Sequence, residues 1–169
     1  NNEEEAIKIA KERETFVSES LLIGSAEDNS AILIEKSPQK MDVYKSETNR
    51  IVCANHYQSK LFMQDSINLK NINNSDSKFR FDRVNELLES EGPLTKDKAA
   101  EILRNKEGAG GKNIGLGNPK SLNQLIAHHG ILFKPQKLQM WVSTPPYQLC
   151  QFVCYNLNEV FKKGENYTI

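Results

Sequence analysis

Several things are scarce in this chain, and each scarcity excludes something. There is no excess of charge: Lys+Arg and Asp+Glu are both 22, for a formal net charge of zero. That removes the electrostatic case for nucleic acid or an anionic membrane surface as a partner. No apolar run approaches the roughly 20 residues a membrane-spanning helix needs. The opening Asn1-Asn2-Glu3-Glu4-Glu5 is acidic and has no signal-peptide pattern. The three cysteines, Cys53, Cys150 and Cys154, are too few for a disulfide framework. On one strand Cys150 and Cys154 would lie well over about 10 Å apart, beyond bridging reach. All three read as ordinary buried thiols.

Metal and nucleotide chemistry find no support either. His56, His128 and His129 together with Cys53 match no common zinc spacing, and adjacent histidines on a strand point to opposite faces. The Gly-rich stretch 108–117 tempts a phosphate reading. However, Gly111-Lys112 is followed by Asn113, and Lys106 stands where a P-loop needs its first glycine. It reads as a mobile surface loop. No metal and no cofactor is expected.

The 169 residues are 38% hydrophobic and 26% charged, which suits a soluble globular domain with a real core. Residues 3–14 read as a helix with an acidic first turn and an apolar stripe of Ala6, Ile7, Ile9 and Ala10. Strand-like runs follow at Phe16–Gly24, Ala31–Lys36, Met41–Ser46 and Ile51–Asn55, separated by turn-forming residues as in an antiparallel meander. Residues 64–77 are polar and Asn/Ser-rich and read as a surface loop. A second helix spans 78–90 with Phe81, Val84, Leu87 and Leu88 inward, and Thr95 caps a third through Arg104. Leu122–Phe133 and Leu138–Ser143 read as a hairpin about residues 134–137. A last strand at Gln151–Leu157 leads to a short helix at Leu157–Lys163.

This order gives an α+β domain with helices layered on antiparallel sheet. Runs such as Ala31-Ile32-Leu33-Ile34 are apolar at both alternating positions, so the sheet wants cover on both faces. The helices can cover only one, which points to a missing layer. Residues 1–169 therefore read as a single domain or half-domain of something longer, an expectation strengthened by a start without Met.

Two segments carry chemistry. Asn55 ends the apolar run Ile51-Val52-Cys53-Ala54, and Arg80 and Arg83 stand at the head of the second helix. Alone, Asn55 is a turn residue at a strand end and the arginines belong to a solvated face. Together, a fixed amide donor and a fixed guanidinium suit stabilisation of an anion or oxyanion. No convincing nucleophile accompanies them. A nucleophilic Cys53 with His56 can be drawn on paper, but nothing places a base at the right distance.

Three stretches taken in order resemble the acyl-coenzyme A:6-aminopenicillanic acid acyltransferase family of N-terminal-nucleophile (Ntn) hydrolases, with the related penicillin V acylases and choloylglycine (bile salt) hydrolases. They are Ser18–Ser25 with the strand from Ala31, Cys53-Ala54-Asn55-His56-Tyr57-Gln58-Ser59, and Ser77 through Arg80-Phe81-Asp82-Arg83. The likeness spans roughly residues 3–160 and falls on the family's C-terminal portion.

The resemblance implies a four-layer αββα sandwich and amide-bond (C–N) chemistry through an acyl-enzyme. It implies a cysteine nucleophile at a new N-terminus, on an upstream segment or chain that would be this chain's partner. Asn55 would then donate to the oxyanion and Arg80 would sit near the cysteine sulfur, while His56 and Tyr57 would shape the substrate pocket. Arg83 would form a structural ion pair. The isolated chain is expected to be inactive. The contrasting reading is a non-catalytic binding or assembly domain with the same fold. Substrate acyl group and amine, homo-oligomerisation, and a bacterial periplasmic, secreted or cytoplasmic location stay open.

Overall fold

A computed structural model describes residues 2–146 and 148–164. It is a mixed α+β structure with two small antiparallel sheets, and it divides into two compact units, residues 1–81 and 82–169.

The first unit begins with α1 (Glu3–Glu12). Asn2 caps it by accepting from the Glu5 N–H, and three glutamates fill its first turn, where the helix dipole favours negative charge. Its last carbonyls, Ala10 O and Arg13 O, receive the Lys36 ammonium. Three strands follow, β1 (Glu19–Ser25), β2 (Ser30–Lys36) and β3 (Met41–Tyr44), in the order β1-β2-β3. β1 and β2 pair from Glu19↔Lys36 to Ser25↔Ser30, and β2 and β3 from Leu33↔Tyr44 to Lys36↔Met41.

The central strand β2 is the core of this unit. Ile32, Leu33 and Ile34 are all buried to within 1% of complete. Side chains alternate across a strand, so the two faces can be assigned from their partners. Lys36, and with it Ile32 and Ile34, faces α1, whereas Glu35 and Leu33 face the segment after β3, because Glu35 accepts the Gln58 and Ser59 N–H groups. Both faces of β2 are thus covered within the unit, which corrects the expectation that the chain could cover only one. On the edge strand β1, Leu21 and Leu22 are exposed.

Two further expectations fail here. Residues 51–55 form no strand. Two of their carbonyls are met by side chains instead: Gln58 Nε2 donates to Val52 O (2.7 Å) and Asn71 Nδ2 to Asn55 O. The supposed loop at 64–77 is largely helical. After a single turn α2 (Lys60–Met63) comes α3 (Ser66–Asn74), whose N-cap Asp65 accepts from the Ile67 and Asn68 N–H groups. The asparagines that suggested loop are helix-compatible because Asn68 is buried and hydrogen-bonded.

The helix α4 (Ser77–Ser90) runs across the boundary between the units. The second unit then contains α5 (Lys96–Leu103), capped by Thr95 accepting from the Lys98 N–H, and a sheet of β4 (Ile131–Lys134), β5 (Gln139–Ser143) and β6 (Phe152–Asn156). The β4–β5 hairpin turns through Pro135–Lys137 with Leu138 in the left-handed region (φ 49°). β4 is far shorter than the 122–133 run read from sequence. Residues 122–130, including the exposed His128 and His129, are irregular rather than strand. The helix α6 (Leu157–Gly164) follows β6. In this unit Arg83 is buried and paired with Glu86 and Glu107, both at 2.9 Å, as expected of a structural ion pair. All three cysteines are free and exposed, which corrects the expectation of buried thiols. No described helix is long and apolar enough to cross a membrane.

Candidate active site

The 52–59 segment is a loop, yet it is held as firmly as a strand. Glu35, with no exposed surface, accepts the Gln58 N–H at 2.7 Å and the Ser59 N–H at 2.8 Å. Asn68 acts as a surrogate strand for Tyr57: its Oδ1 accepts the Tyr57 N–H (2.8 Å) and its Nδ2 donates to Tyr57 O (3.0 Å). The Tyr57 hydroxyl donates to Lys36 O at 2.5 Å, and its ring packs on Phe62 with centroids 4.2 Å apart. Burial raises the Tyr57 pKa, opposed by a hydrogen bond with Ser18. The phenol therefore remains a neutral donor to the backbone.

The first turn of α4 grips the tip of this loop. Ser77, Arg80 and Phe81 lie at i, i+3 and i+4, on one helix face. Arg80 donates from Nη2 to Asn55 Oδ1 at 2.8 Å. The fully buried Ser77 hydroxyl pairs with His56 Nδ1 at 2.7 Å, and the Phe81 ring meets the His56 imidazole edge-on, centroids 5.2 Å apart. Partial burial lowers the Arg80 pKa against the opposing effect of Asp76, but a guanidinium stays charged at any ordinary pH.

The Arg80 contact settles which way the Asn55 amide points. A guanidinium can only donate, so the atom it touches must be the oxygen. The amide nitrogen is left as the outward donor, and no partner engages it among the described residues. Asn55 is exposed at a cleft of about 830 Å³ that Cys53, His56, Tyr57, Phe62 and one face of α3 also line. An outward amide donor, oriented by a cation and opening onto a ligand-sized cleft, is what an oxyanion-binding element requires.

Cys53 lies two residues from Asn55 on the same cleft. Although the residue is exposed, desolvation of its thiol raises the pKa, with Glu35 adding to the rise and a hydrogen bond with Ser20 opposing it. That is the reverse of what activates a nucleophilic cysteine.

Sequence reasoning singled out Asn55, Arg80, His56 and Tyr57, and the structure brings all four to one loop and one helical turn. It separates their parts. Asn55 opens to the cleft, whereas the polar atoms described for His56 and Tyr57 serve Ser77 and Lys36. Glu35, Asn68 and Asn71 were missed. An acid closing the buried run Ile32-Leu33-Ile34 was the one available signal for Glu35. Nothing local marks the asparagines.

The cleft and its oriented amide thus stand together on an α+β scaffold. The chain belongs to the acyl-coenzyme A:6-aminopenicillanic acid acyl-transferase family, which it matches over residues 1–143. That family is Ntn-hydrolase-like and comprises acyltransferases and amidases. No curated protein and no solved structure matches the chain significantly.

Proposed function

We propose that this chain supplies the oxyanion-stabilising part of a cysteine Ntn site that breaks or forms an amide C–N bond through an acyl-enzyme. The observation that carries this reading is the Arg80–Asn55 contact, which leaves Asn55 Nδ2 as a fixed donor at the cleft. In this reading a thiolate adds to the substrate carbonyl carbon, and the carbonyl oxygen becomes an oxyanion that Asn55 Nδ2 stabilises. The C–N bond then breaks and the amine leaves with a proton. Water, or an acyl acceptor, attacks the thioester, releases the acyl group and regenerates the thiol. Arg80 orients Asn55, and its charge favours the thiolate.

The nucleophile in this reading is a cysteine at a processed N-terminus outside residues 1–169, with its own α-amino group, of pKa near 8, as base. The raised Cys53 pKa supports placing it elsewhere. The two antiparallel sheets with their helices are, on the same reading, part of an αββα sandwich that the nucleophile-bearing segment completes.

The test is intact-mass analysis and N-terminal sequencing of the full-length protein from its source, before and after exposure to an acylating p-nitrophenyl ester. A species beginning with Cys that gains the acyl mass as a thioester is expected. Acylation of Cys53 instead, or turnover by residues 1–169 alone, overturns the assignment. Absence of any acylated cysteine favours a non-catalytic binding domain.

A further inference from the structure

One face of α3 is turned to the cleft. Ile67, Lys70, Asn71 and Asn74 line it, at i, i+3, i+4 and i+7, the spacing of a single helical stripe. Ile67 is 79% exposed and is the apolar side chain that α3 gives to the cleft. Phe62 and Tyr57 add apolar surface to the same cleft. α3 is also anchored to the loop that carries the oriented amide, through Asn71 to Asn55 O and Asn68 to both backbone groups of Tyr57. Its N-cap Asp65 is in turn ion-paired with Lys40. The wall is therefore rigidly referenced to Asn55.

We propose that α3 is the specificity wall of this site, with Ile67 contacting the acyl chain of the substrate. The proposal rests on the acyl-transfer reading for what the ligand is, but its test does not depend on turnover. Asn71 is the α3 residue that touches Asn55, so an acyl chain running from a carbonyl at Asn55 along α3 would pass Asn71 before reaching Ile67 one turn away. Longer chains would bury more of Ile67, so chain length is what this wall reads.

The experiment measures binding of acetate, hexanoate and decanoate, the acids that hydrolysis would release, to the full-length protein by isothermal titration calorimetry. It compares wild type with Ile67→Trp, Ile67→Lys and Leu69→Trp. Leu69 lies on the same helix outside the cleft lining, so it reports any general effect of a bulky substitution. The expected result is affinity rising with chain length in wild type. Ile67→Lys should then weaken decanoate by about tenfold or more relative to Leu69→Trp, the scale on which apolar pockets discriminate, whereas Ile67→Trp, which enlarges the apolar surface, should bind it at least as tightly as wild type. Ile67 is exposed, so neither substitution should disturb the core, and a circular dichroism spectrum checks this. Absence of chain-length dependence in wild type, or equal decanoate affinity in all variants, overturns the proposal. Loss of the Asn55 role alone would leave this binding pattern intact, which separates the two readings.

Discussion

Replacing Asn55 by Asp separates what this residue does for the fold from what it does for chemistry. The two side chains have nearly the same shape. Oδ1 keeps its place 2.8 Å from the Arg80 guanidinium, and the contact becomes charge-assisted on both sides. A hydrogen bond to a charged group is already worth about 1.5–3 kcal/mol when shielded, so the carboxylate adds only the attraction of the second charge. Asn55 is exposed, so the net gain in stability should be at most about 1 kcal/mol. The other end of the side chain changes from an N–H donor to an acceptor. Loss of one oxyanion donor costs about 2.7–4 kcal/mol in the transition state, or about 10²–10³ in kcat, and a facing carboxylate adds repulsion. The variant is therefore expected to melt at or above the wild-type temperature while losing at least about 100-fold in turnover. The assay is hydrolysis of an N-acyl p-nitroanilide by the full-length enzyme, alongside thermal unfolding followed by circular dichroism. Turnover within tenfold of wild type would refute the donor role. A marked fall in melting temperature would show that the amide nitrogen holds the fold instead.

Glu35→Gln places an amide N–H₂ against one of two buried backbone N–H groups. It should cost about 2–3 kcal/mol in denaturant unfolding, and an unchanged midpoint would show that the Gln58 and Ser59 contacts are dispensable. Thr95→Ala removes the α5 cap and should cost about 1 kcal/mol by the same measurement, without altering turnover. Stability should also depend on acid. The Lys40 contact and then the Asn68 N–H hold the Asp65 pKa below its ordinary value, and hydrogen bonds from Ser25 and the Glu3 N–H do the same for Asp28. Because these folded-state values lie below the unfolded ones, the stabilisation is fully present above about pH 4–5 and is lost as pH falls further. Asp65→Asn should flatten the acid limb of a melting-temperature profile, and an unchanged limb would contradict this. Finally, Cys53 should react with iodoacetamide at pH 7.5 more slowly than a free cysteine peptide, since its raised pKa keeps it a thiol. Faster reaction, followed by mass spectrometry, would reverse that view.

What could be read from sequence was local. The acidic first turn of α1, the apolar β2 run and the Thr95 cap each carry their signal within a few residues, and each appears with boundaries shifted only slightly. That Asn55 and Arg80 belong together was legible from their order along the chain and the resemblance, but the direct hydrogen bond between them was not, since the sequence reading placed Arg80 against a cysteine sulfur. The 51–55 segment was misread because an apolar run resembles a strand, whereas its Val52 and Asn55 carbonyls are met by the side chains of Gln58 and Asn71, the latter from beyond the next turn of helix. α3 was misread because its asparagines disfavour helix as isolated residues. Burial of Asn68 against Tyr57 and the Asp65 cap reverse that preference, and only the first of these depends on tertiary contact. The cysteines were assigned to the interior by residue type alone, and type says little about any one position.

Glu35 and Lys36 are neighbours on β2 with opposite charges and opposite faces, the one serving the loop at 58–59 and the other the end of α1. A slip of one residue in the pairing of β2 would exchange them. The carboxyl would then meet the α1 carbonyls and the ammonium the loop N–H groups, so acceptor would face acceptor and donor would face donor. The two residues together act as a proofreading mark for strand register: a misaligned hairpin pays at both faces at once, and the chain is steered back before the 52–59 loop can be built on it.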